Sequence, residues 1–409
     1  MSPNATIPSN AQPPRVCIVM RDLGQPSEVW MLRQARLLRG VQPTIVCWNV
    51  VGDADRTAPV PVERVHTPAA PMPDRWRRAR ALARTLTGSS PFEGARSERA
   101  ALRAIFERTG ASAALAHFGA AALRILPAAR DLGVPVIAHF HGLDVSSQLR
   151  DRWYRIALRR NIRRFAGMVI VGEHQRQVLL AYGADPSRIR LIPCGAPTNV
   201  FTPAPEPPRR SDPVGIIVAR LIPTKGHDAA IHALAGAAER GVLACLRIVG
   251  DGPLAGMLKD LASRLGVASR VEFMGVRTPE EVLAQLRDAD FALQPSCPDG
   301  SGWVEGFGVA VTEAAACGLP VIGTRFGGIP DQIVDGRTGL LVPPGDTAAL
   351  TDAIALLASD HELRLRLGAA ARERAVEHFD SAILAGRLSE FILETVHHAS
   401  GAHANNAHA

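Results

Sequence analysis

Short apolar runs alternate with segments of helical periodicity through most of the chain. The first run covers residues 15–20, and after a loop with Gly24 an amphipathic pattern that Ser27 would cap continues to Leu38. The same order of strand, loop and helix returns after the apolar runs at 44–50, 113–117, 134–140 and 167–172. Apolar strands that alternate with helices predict a parallel sheet with helices on both faces.

A proline-rich segment divides this pattern into two sets. Residues 202–213, TPAPEPPRRSDP, hold five prolines and interrupt the periodicity, which is typical of a linker between domains. A second series of apolar runs follows at 214–220, 245–250, 271–275, 290–296 and 320–324, separated by helical patterns such as 227–240 and 346–358. The sequence therefore predicts two doubly wound α/β domains.

The domain limits follow from these patterns. We predict an N-terminal domain over 15–201, the linker over 202–213 and a C-terminal domain over 214–380. The last periodic segment, 381–398, predicts a helix that packs back on the first domain, and residues 1–14 and 399–409 are predicted to be disordered. Ligands of open parallel sheets bind beyond the carboxyl ends of the strands, so a cleft between the domains is the expected site.

Composition narrows the class of protein. The 409 residues are 47% hydrophobic and 21% charged, as expected for a folded chain large enough for two cores. No run reaches the roughly 18 uncharged apolar residues of a membrane span, and the N-terminus lacks the pattern of a secretory signal, so we expect a cytoplasmic location. The six cysteines are never within four residues of one another, which excludes the C-x-x-C spacing of zinc and redox sites.

Charge differs sharply between the two halves. Residues 1–200 hold 28 arginines and 14 acidic residues, a net charge of +14, whereas the remaining residues carry a net charge of −7. A basic half can bind nucleic acid, an anionic membrane surface or a phosphorylated substrate. The segment 74–86 resembles an interfacial helix, and a solvated charged helix is the alternative. Aromatic residues are too sparse around the basic segment 159–165 to favour RNA, so we expect no nucleic acid partner.

Two cations follow the first strand of the second domain. Arg220 and Lys225 lie in VARLIPTKG, where a tight turn could direct both at one anionic group such as a diphosphate. The helix that begins near Gly226 adds free amides that favour an anion. The alternative is a pair of exposed loop cations with no ligand.

The stretch EGFGVAVTE, residues 305–313, combines two carboxylates with a glycine turn. Gly306 and Gly308 allow close approach of the main chain to a ligand, and the amides from Phe307 to Val309 begin a helix. Glu305 in the loop could accept hydrogen bonds from sugar hydroxyls, and Glu313 in the helix could bind a ribose. The alternative is a solvated glutamate followed by one on a helix face.

A histidine motif ends a strand of the first domain. In HFHGLD, residues 139–144, His141 is followed by Gly142 and Asp144, which could hold it toward the cleft. His139 and His141 could suggest a metal, but no third ligand is near, so we expect no metal site. A buried structural histidine is the alternative interpretation of His141.

These motifs together resemble glycosyltransferase family 4, whose members are retaining enzymes with the GT-B fold of two Rossmann-like domains facing a cleft. The resemblance covers Val16 to Val396 and is strongest in VARLIPTKG, LRIVGDGPL and EGFGVAVTEAAACGLPVIGTRFGGIPDQIVDGRTGLLVPPGD. It extends to SEVWMLRQARLL and HFHGLDVS, which look like the bacterial exopolysaccharide branch, including enzymes of colanic-acid type.

The resemblance implies a role for each candidate residue. Its E-x7-E pattern corresponds to Glu305, which would hold the donor sugar, and Glu313, which would hold the nucleotide ribose. Arg220 and Lys225 would neutralise the leaving diphosphate, and His141 would contact the donor sugar. The remaining donor-binding positions that it implies are Gly24, Asp144, Gly306, Phe307, Gly308 and Val309.

The function that the resemblance implies is hexosyl transfer. The donor would be a UDP-sugar and the acceptor a saccharide or lipid-linked saccharide, in bacterial polysaccharide or glycoconjugate biosynthesis. The nucleotide sugar is then a co-substrate, no further cofactor or metal is expected, and the basic half could rest on the inner face of the plasma membrane. The alternatives are a mannosyltransferase that uses GDP-mannose and a non-catalytic nucleotide-sugar-binding protein.

Overall fold

The structure is a computed structural model that describes residues 12–25, 29–66, 96–206 and 210–406. The basic segment 74–86 and the predicted helix cap Ser27 lie outside the described residues. None of the described helices is long and apolar enough to cross a membrane.

The first domain is built on a parallel sheet. Within the described residues this sheet has seven strands, in the order β3-β2-β1-β4-β5-β6-β7, and every neighbouring pair is parallel. The strands are β1 Arg15–Leu23, β2 Gln42–Val50, β3 Val62–Arg64, β4 Ala113–His117, β5 Val136–Phe140, β6 Gly167–Ile170 and β7 Ile189–Leu191. The predicted doubly wound arrangement is confirmed.

Helices cover both faces of this sheet. They are α1 Val29–Leu37, α2 Ala54–Thr57, α3 Arg96–Thr109, α4 Gly119–Asp131, α5 Arg152–Asn161 and α6 His174–Ala181. Side chains of a strand alternate between faces, and in β1 Cys17 and Val19 join the core under α3 and α4 whereas Ile18 joins the core under α1. The apolar run of β1 is therefore continuous because both of its faces are buried.

The second domain repeats this plan. Within the described residues its sheet has six parallel strands in the order β10-β9-β8-β11-β12-β13. The strands are β8 Val214–Val218, β9 Cys245–Val249, β10 Val271–Gly275, β11 Phe291–Gln294, β12 Val321–Thr324 and β13 Gly339–Val342. The helices are α7 His227–Glu239, α8 Ala255–Arg264, α9 Pro279–Arg287, α10 Val309–Ala316, α11 Ile329–Gln332, α12 Thr347–Ser359 and α13 His361–His378.

The C-terminal helix α14, Ser381–Asn406, joins the two domains. Its residues Leu384 and Leu388 lie in the core of the first domain, and the Ser389 hydroxyl accepts a hydrogen bond from the Arg39 amide at 2.9 Å. The helix continues to Asn406, so the sequence placed its end, at residue 398, too early.

The loops at the carboxyl ends of the two sheets meet in the cleft. Gly142, which follows β5, lies so close to Gly306, which follows β11, that a β-carbon on Gly142 would stand 2.7 Å from the Gly306 Cα. Both positions therefore require glycine, and the cleft is closed at this point.

Candidate active site

Glu305 is the centre of a buried polar cluster in the second domain. Its Oε2 accepts a hydrogen bond from Lys225 Nζ at 2.6 Å, from Ser296 Oγ at 3.1 Å and from Gln294 Nε2 at 3.3 Å. Only 7% of the Glu305 side chain and 15% of the Lys225 side chain are exposed. Because Oε2 accepts all three hydrogen bonds that Glu305 makes with the described residues, Oε1 is left for an external donor such as a hydroxyl.

Lys225 reaches this carboxylate from the loop after β8. It ends a short 3-10 turn, Pro223–Lys225, and its ammonium also lies 4.9 Å from the centre of the Trp303 ring. Gly226 follows with φ of +67°, and a β-carbon there would collide with the carbonyl of Pro295. The glycine thus lets the Lys225 loop pack directly on the loop that leads to Glu305.

Arg220 lies on the same loop but is exposed. Among the described residues its guanidinium has no hydrogen-bond or ion-pair partner, whereas Lys225 is paired with Glu305. The sequence predicts that Arg220 and Lys225 act on one anionic group. The structure places both on one loop and pairs Lys225 with a carboxylate.

The start of α10 provides main-chain amides beside Glu305. In the described part of the chain, the amides of Phe307 and Val309 have no hydrogen-bond partner. The Gly308 amide, in contrast, donates to Gln332 at 3.1 Å when the Gln332 side-chain amide is oriented to satisfy its neighbours. The Phe307 ring is buried beside Phe379, in a cluster that also contains Val171 and Cys194 of the first domain. Gly306 allows the loop before α10 to approach the loop after β5 closely, because its main chain contacts the His141 carbonyl.

The charge of a cation in the other domain acts on Glu313. Burial raises the pKa of Glu313 to about 7, and the Arg33 guanidinium of α1 opposes this shift. Burial likewise lowers the pKa of Arg33, and its Nη1 is buried without a hydrogen-bond partner among the described residues. The two residues are therefore coupled electrostatically across the cleft, a relationship that the sequence did not predict.

Asp144 holds the loop that carries His141. Its Oδ1 accepts hydrogen bonds from the amides of His141 at 2.9 Å and Gly142 at 3.0 Å, and its Oδ2 accepts one from Gly119 at 2.9 Å. Burial raises the pKa of Asp144 to about 6, although these amides lower it. Both carboxylate oxygens thus accept main-chain hydrogen bonds that hold the His141 loop in place.

Three imidazoles meet at the edge of the first sheet. His117 ends β4 in register with His139 of β5, and its Nδ1 lies 3.1 Å from Nε2 of His141. The expectation that His139 and His141 have no third ligand nearby is therefore wrong, since one ring nitrogen from each of the three lies within 4.8 Å of the others. This contact could not be predicted from the sequence, because 24 residues separate His117 from His141 and only the sheet register brings them together. Three imidazoles are a ligand set that suits a zinc, nickel or copper ion.

Gly24 directly follows the first strand and has a φ of +91°. A β-carbon at this position would stand 2.5 Å from Ala54 Cβ and 2.9 Å from the Val51 carbonyl oxygen. The glycine is thus explained by packing of the β1 loop on the β2 loop.

This chain is similar to known glycosyltransferases. Residues 29–200 match the family described as Glycosyltransferase Family 4, and residues 202–374 match the family Glycosyl transferases group 1. A GDP-mannose-dependent alpha-(1-6)-phosphatidylinositol monomannoside mannosyltransferase of Mycolicibacterium smegmatis is 34% identical over 287 residues, 67% of this chain and 75% of the relative. The putative colanic acid biosynthesis glycosyltransferase WcaL of Salmonella typhimurium is 32% identical over 290 residues, 69% of this chain and 70% of the relative.

Solved structures show the same architecture. The HepE protein of Anabaena in complex with UDP superposes with a TM-score of 0.74 at 18% identity, over 93% of this chain and all of that one. The two parallel-sheet domains and the cleft between them are those of GT-B glycosyltransferases. The chain belongs to glycosyltransferase family 4, and it is a glycosyltransferase. The resemblance seen in the sequence is thereby confirmed.

Proposed function

We propose that the protein transfers a hexosyl unit from a nucleoside-diphosphate sugar to a saccharide or lipid-linked saccharide, in the biosynthesis of a bacterial polysaccharide or glycoconjugate. The observation that carries the proposal is the Glu305 cluster. It brings together a buried carboxylate, the Lys225 ammonium and the amides at the start of α10; one carboxylate oxygen and the amides of Phe307 and Val309 have no partner among the described residues. These groups suit a sugar hydroxyl and a diphosphate in one site.

The second part of the site comes from the first domain. The His141 main chain contacts Gly306, so the imidazole stands beside the loop that would hold the donor. The Arg33 charge acts on Glu313, the residue proposed for the ribose. The donor would therefore bind between the two domains, and its binding requires the cleft to open at the contact between the glycines.

The proposed reaction retains the anomeric configuration. The acceptor oxygen bonds to C1 of the sugar on the face from which the diphosphate leaves, and the bond from C1 to the phosphate oxygen breaks. The hydroxyl proton of the acceptor passes to the departing phosphate oxygen. Glu305 would orient the sugar through Oε1, His141 would contact the sugar near C1, and Arg220 with Lys225 would neutralise the diphosphate.

We propose that this transfer needs no metal. Lys225 is held beside the carboxylate at 2.6 Å and the Arg220 guanidinium is exposed beyond β8, so two protein cations can replace a divalent ion at the diphosphate. Transfer that continues in excess EDTA supports this proposal. Activity that disappears in EDTA and returns with magnesium or manganese contradicts it.

Two donors are candidates. A UDP-hexose is the first, from the resemblance of the sequence motifs. GDP-mannose is the second, and the relative from Mycolicibacterium smegmatis, which is named for that donor, supports it. A thermal-shift comparison of UDP, GDP and ADP and their sugars separates them, because a ligand that binds the folded state raises the melting temperature.

The basic first domain is proposed to rest on an anionic membrane surface where it meets a lipid-linked acceptor. Exposed arginines cluster on α5 and the turn after it, namely Arg155, Arg159, Arg160, Arg163 and Arg164. Cosedimentation with vesicles that contain phosphatidylglycerol should weaken as salt rises, and vesicles of phosphatidylcholine alone should not bind. Binding that depends on neither lipid charge nor salt contradicts this proposal.

Slow hydrolysis of the donor without acceptor tests the transferase function itself. The wild-type protein should hydrolyse one nucleotide sugar and so form nucleoside diphosphate. The Glu305→Gln variant should bind the same nucleotide sugar but hydrolyse it more slowly. Binding of a nucleotide sugar without any hydrolysis or transfer would favour a non-catalytic binding protein.

A further inference from the structure

His117 and His141 are joined by one imidazole-to-imidazole hydrogen bond. The two nitrogens, Nδ1 of His117 and Nε2 of His141, are 3.1 Å apart, and the rings are stacked with an interplanar angle of 28°. One of the two nitrogens must carry the proton and the other must accept it. The tautomer of His117 therefore determines the tautomer of His141.

Both rings are neutral in this setting. Burial lowers the pKa of His117 to about 3, and burial lowers the pKa of His141 well below its ordinary value. Each neutral ring carries one proton, so the choice is between two arrangements. In one, His117 Nδ1–H donates and His141 carries its own proton on Nδ1. In the other, His141 Nε2–H donates and His117 carries its proton on Nε2.

The surroundings of the two remaining nitrogens decide between these arrangements. His117 Nε2 and His141 Nδ1 are both buried without a partner among the described residues. His117 is fully buried within the first domain, whereas His141 is partly exposed at the contact with the second domain. Either arrangement leaves one buried N–H without an acceptor while the cleft is closed, which is costly. Only His141 lies at the contact with Gly306 of the second domain, which must open to admit the donor, so a ligand can supply an acceptor there and the free N–H is assigned to His141 Nδ1.

We propose that His117 is a positioning residue: its Nδ1–H donates to Nε2 of His141 and holds His141 in the tautomer with the proton on Nδ1, ready to donate to an oxygen of the sugar donor. This inference deepens the proposed function and rests on it for the identity of the ligand. The ring orientation is fixed as well, because His141 is packed between His139 at 4.1 Å, Trp30 at 4.7 Å and Phe118 at 4.8 Å, measured between ring centres.

Two substitutions at His117 separate positioning from packing. His117→Phe keeps an aromatic ring but removes the donor, and His117→Asn places an amide N–H near the position of Nδ1. We expect kcat to fall about 10- to 100-fold in H117F, the range typical of groups that orient a functional histidine, with little change in the donor KM. H117N should recover most of that loss. His139→Phe is the matched control, since His139 contacts the same ring without a hydrogen bond.

Nitrogen NMR of the histidine side chains reports the tautomer without requiring turnover. In protein labelled with ¹⁵N at histidine, the His141 signals are assigned by their loss in His141→Gln. They should show a protonated Nδ1 in the wild type, in H117N and in H139F, and a changed tautomer or exchange between tautomers in H117F. This readout remains valid even if no donor sugar is turned over, so the inference and the proposed function can fail separately.

Three results would overturn the inference. The first is a wild-type His141 that carries its proton on Nε2. The second is an equal loss of kcat in H117F and H117N. The third is a stoichiometric transition metal in the purified wild-type protein that is absent from H117F, because the imidazoles would then be metal ligands rather than a hydrogen-bonded pair.

Discussion

The main chain of Gly306 lies directly against the carbonyl group of His141, so the two domains touch at the proposed reaction centre. The contact joins the loop before α10 to the loop after β5, and Gly142 takes part from the other side. Domain closure and assembly of the site are consequently one event. A side chain inserted here should affect both the cleft and turnover.

The Gly306→Ala variant tests this relationship. Its added methyl group would overlap the His141 carbonyl, so the loops must separate. We expect kcat to fall at least about tenfold and the free energy of unfolding to fall by about 1–3 kcal/mol, as found for overpacked positions. Steady-state kinetics and urea unfolding measure the two effects.

Gly256→Ala is the matched control for this variant. Gly256 lies in α8, where a β-carbon would meet no atom of the described part of the chain within 4 Å. Alanine should stabilise that helix by about 0.5–1 kcal/mol and leave turnover unchanged. A Gly306→Ala protein with the kinetics of this control would show that the contact has no part in the reaction.

Glu305→Ala and Lys225→Ala should each remove most turnover while the protein stays folded. Removal of Lys225 leaves Glu305 with the hydrogen bonds of Gln294 and Ser296, so we expect a loss of about 1–3 kcal/mol of stability and about 100-fold or more in kcat. Kinetics and thermal unfolding of the same samples provide the measurement.

The control for this pair is an exposed ion pair of the same domain. Arg240 and Asp352 are paired, but 52% and 68% of their side chains are exposed. Arg240→Ala should therefore change stability by less than about 1 kcal/mol and leave kcat unaltered. Near-normal turnover in both Glu305→Ala and Lys225→Ala would refute their assigned roles.

Arg220→Ala should lower turnover without lowering the stability of the fold. The guanidinium is exposed and has no partner among the described residues, so its loss should change the free energy of unfolding by less than about 0.5 kcal/mol. If it neutralises the leaving diphosphate, kcat should still fall at least about tenfold. Arg264→Ala, an exposed arginine at the end of α8, is the comparison. Equal kinetics of the two variants would exclude Arg220 from the site.

Sequence patterns predicted the long, buried elements well. The apolar run at 271–275 coincides with β10, and the helical pattern at 227–240 differs from α7 by one terminal residue. Short strands were missed where no apolar run marks them. In β7, Ile189–Leu191, only Ile189 is buried, and such a strand is defined by its neighbour β6 rather than by its own residues.

The candidate site was predicted only where it is local in sequence. Glu305, Lys225 and His141 were candidates because each lies in the segment that follows a strand. Gln294 and Ser296 were not predicted as site residues, because they contribute through hydrogen bonds to Glu305 that form only in the folded loop. His117 and Arg33 could not be predicted, because their partners His141 and Glu313 are distant in the chain. The first pair depends on the register of the sheet, and the second depends on how the two domains are placed.

The raised pKa of Glu313 predicts how stability depends on pH. Burial raises this pKa from 4.5 to about 7, so the folded protein binds the proton more tightly than the unfolded chain does. The resulting stabilisation is fully present below pH 4.5 and is lost as pH rises to 7 and beyond. At pH 8 the ionised, desolvated carboxylate should cost up to about 3 kcal/mol relative to a neutral side chain.

Glu313→Gln isolates this contribution. The variant should be more stable than the wild type at pH 8, and the difference should disappear as pH falls toward 4.5, because both proteins are then neutral at this position. Arg33→Met should shift the wild-type transition to higher pH, since Arg33 opposes the effect of burial on Glu313. Urea unfolding between pH 4.5 and 8.5 measures all three proteins. A difference between Glu313→Gln and the wild type that stays constant over this range would refute the raised pKa of Glu313. A transition that Arg33→Met leaves at the wild-type pH would refute the coupling to Arg33.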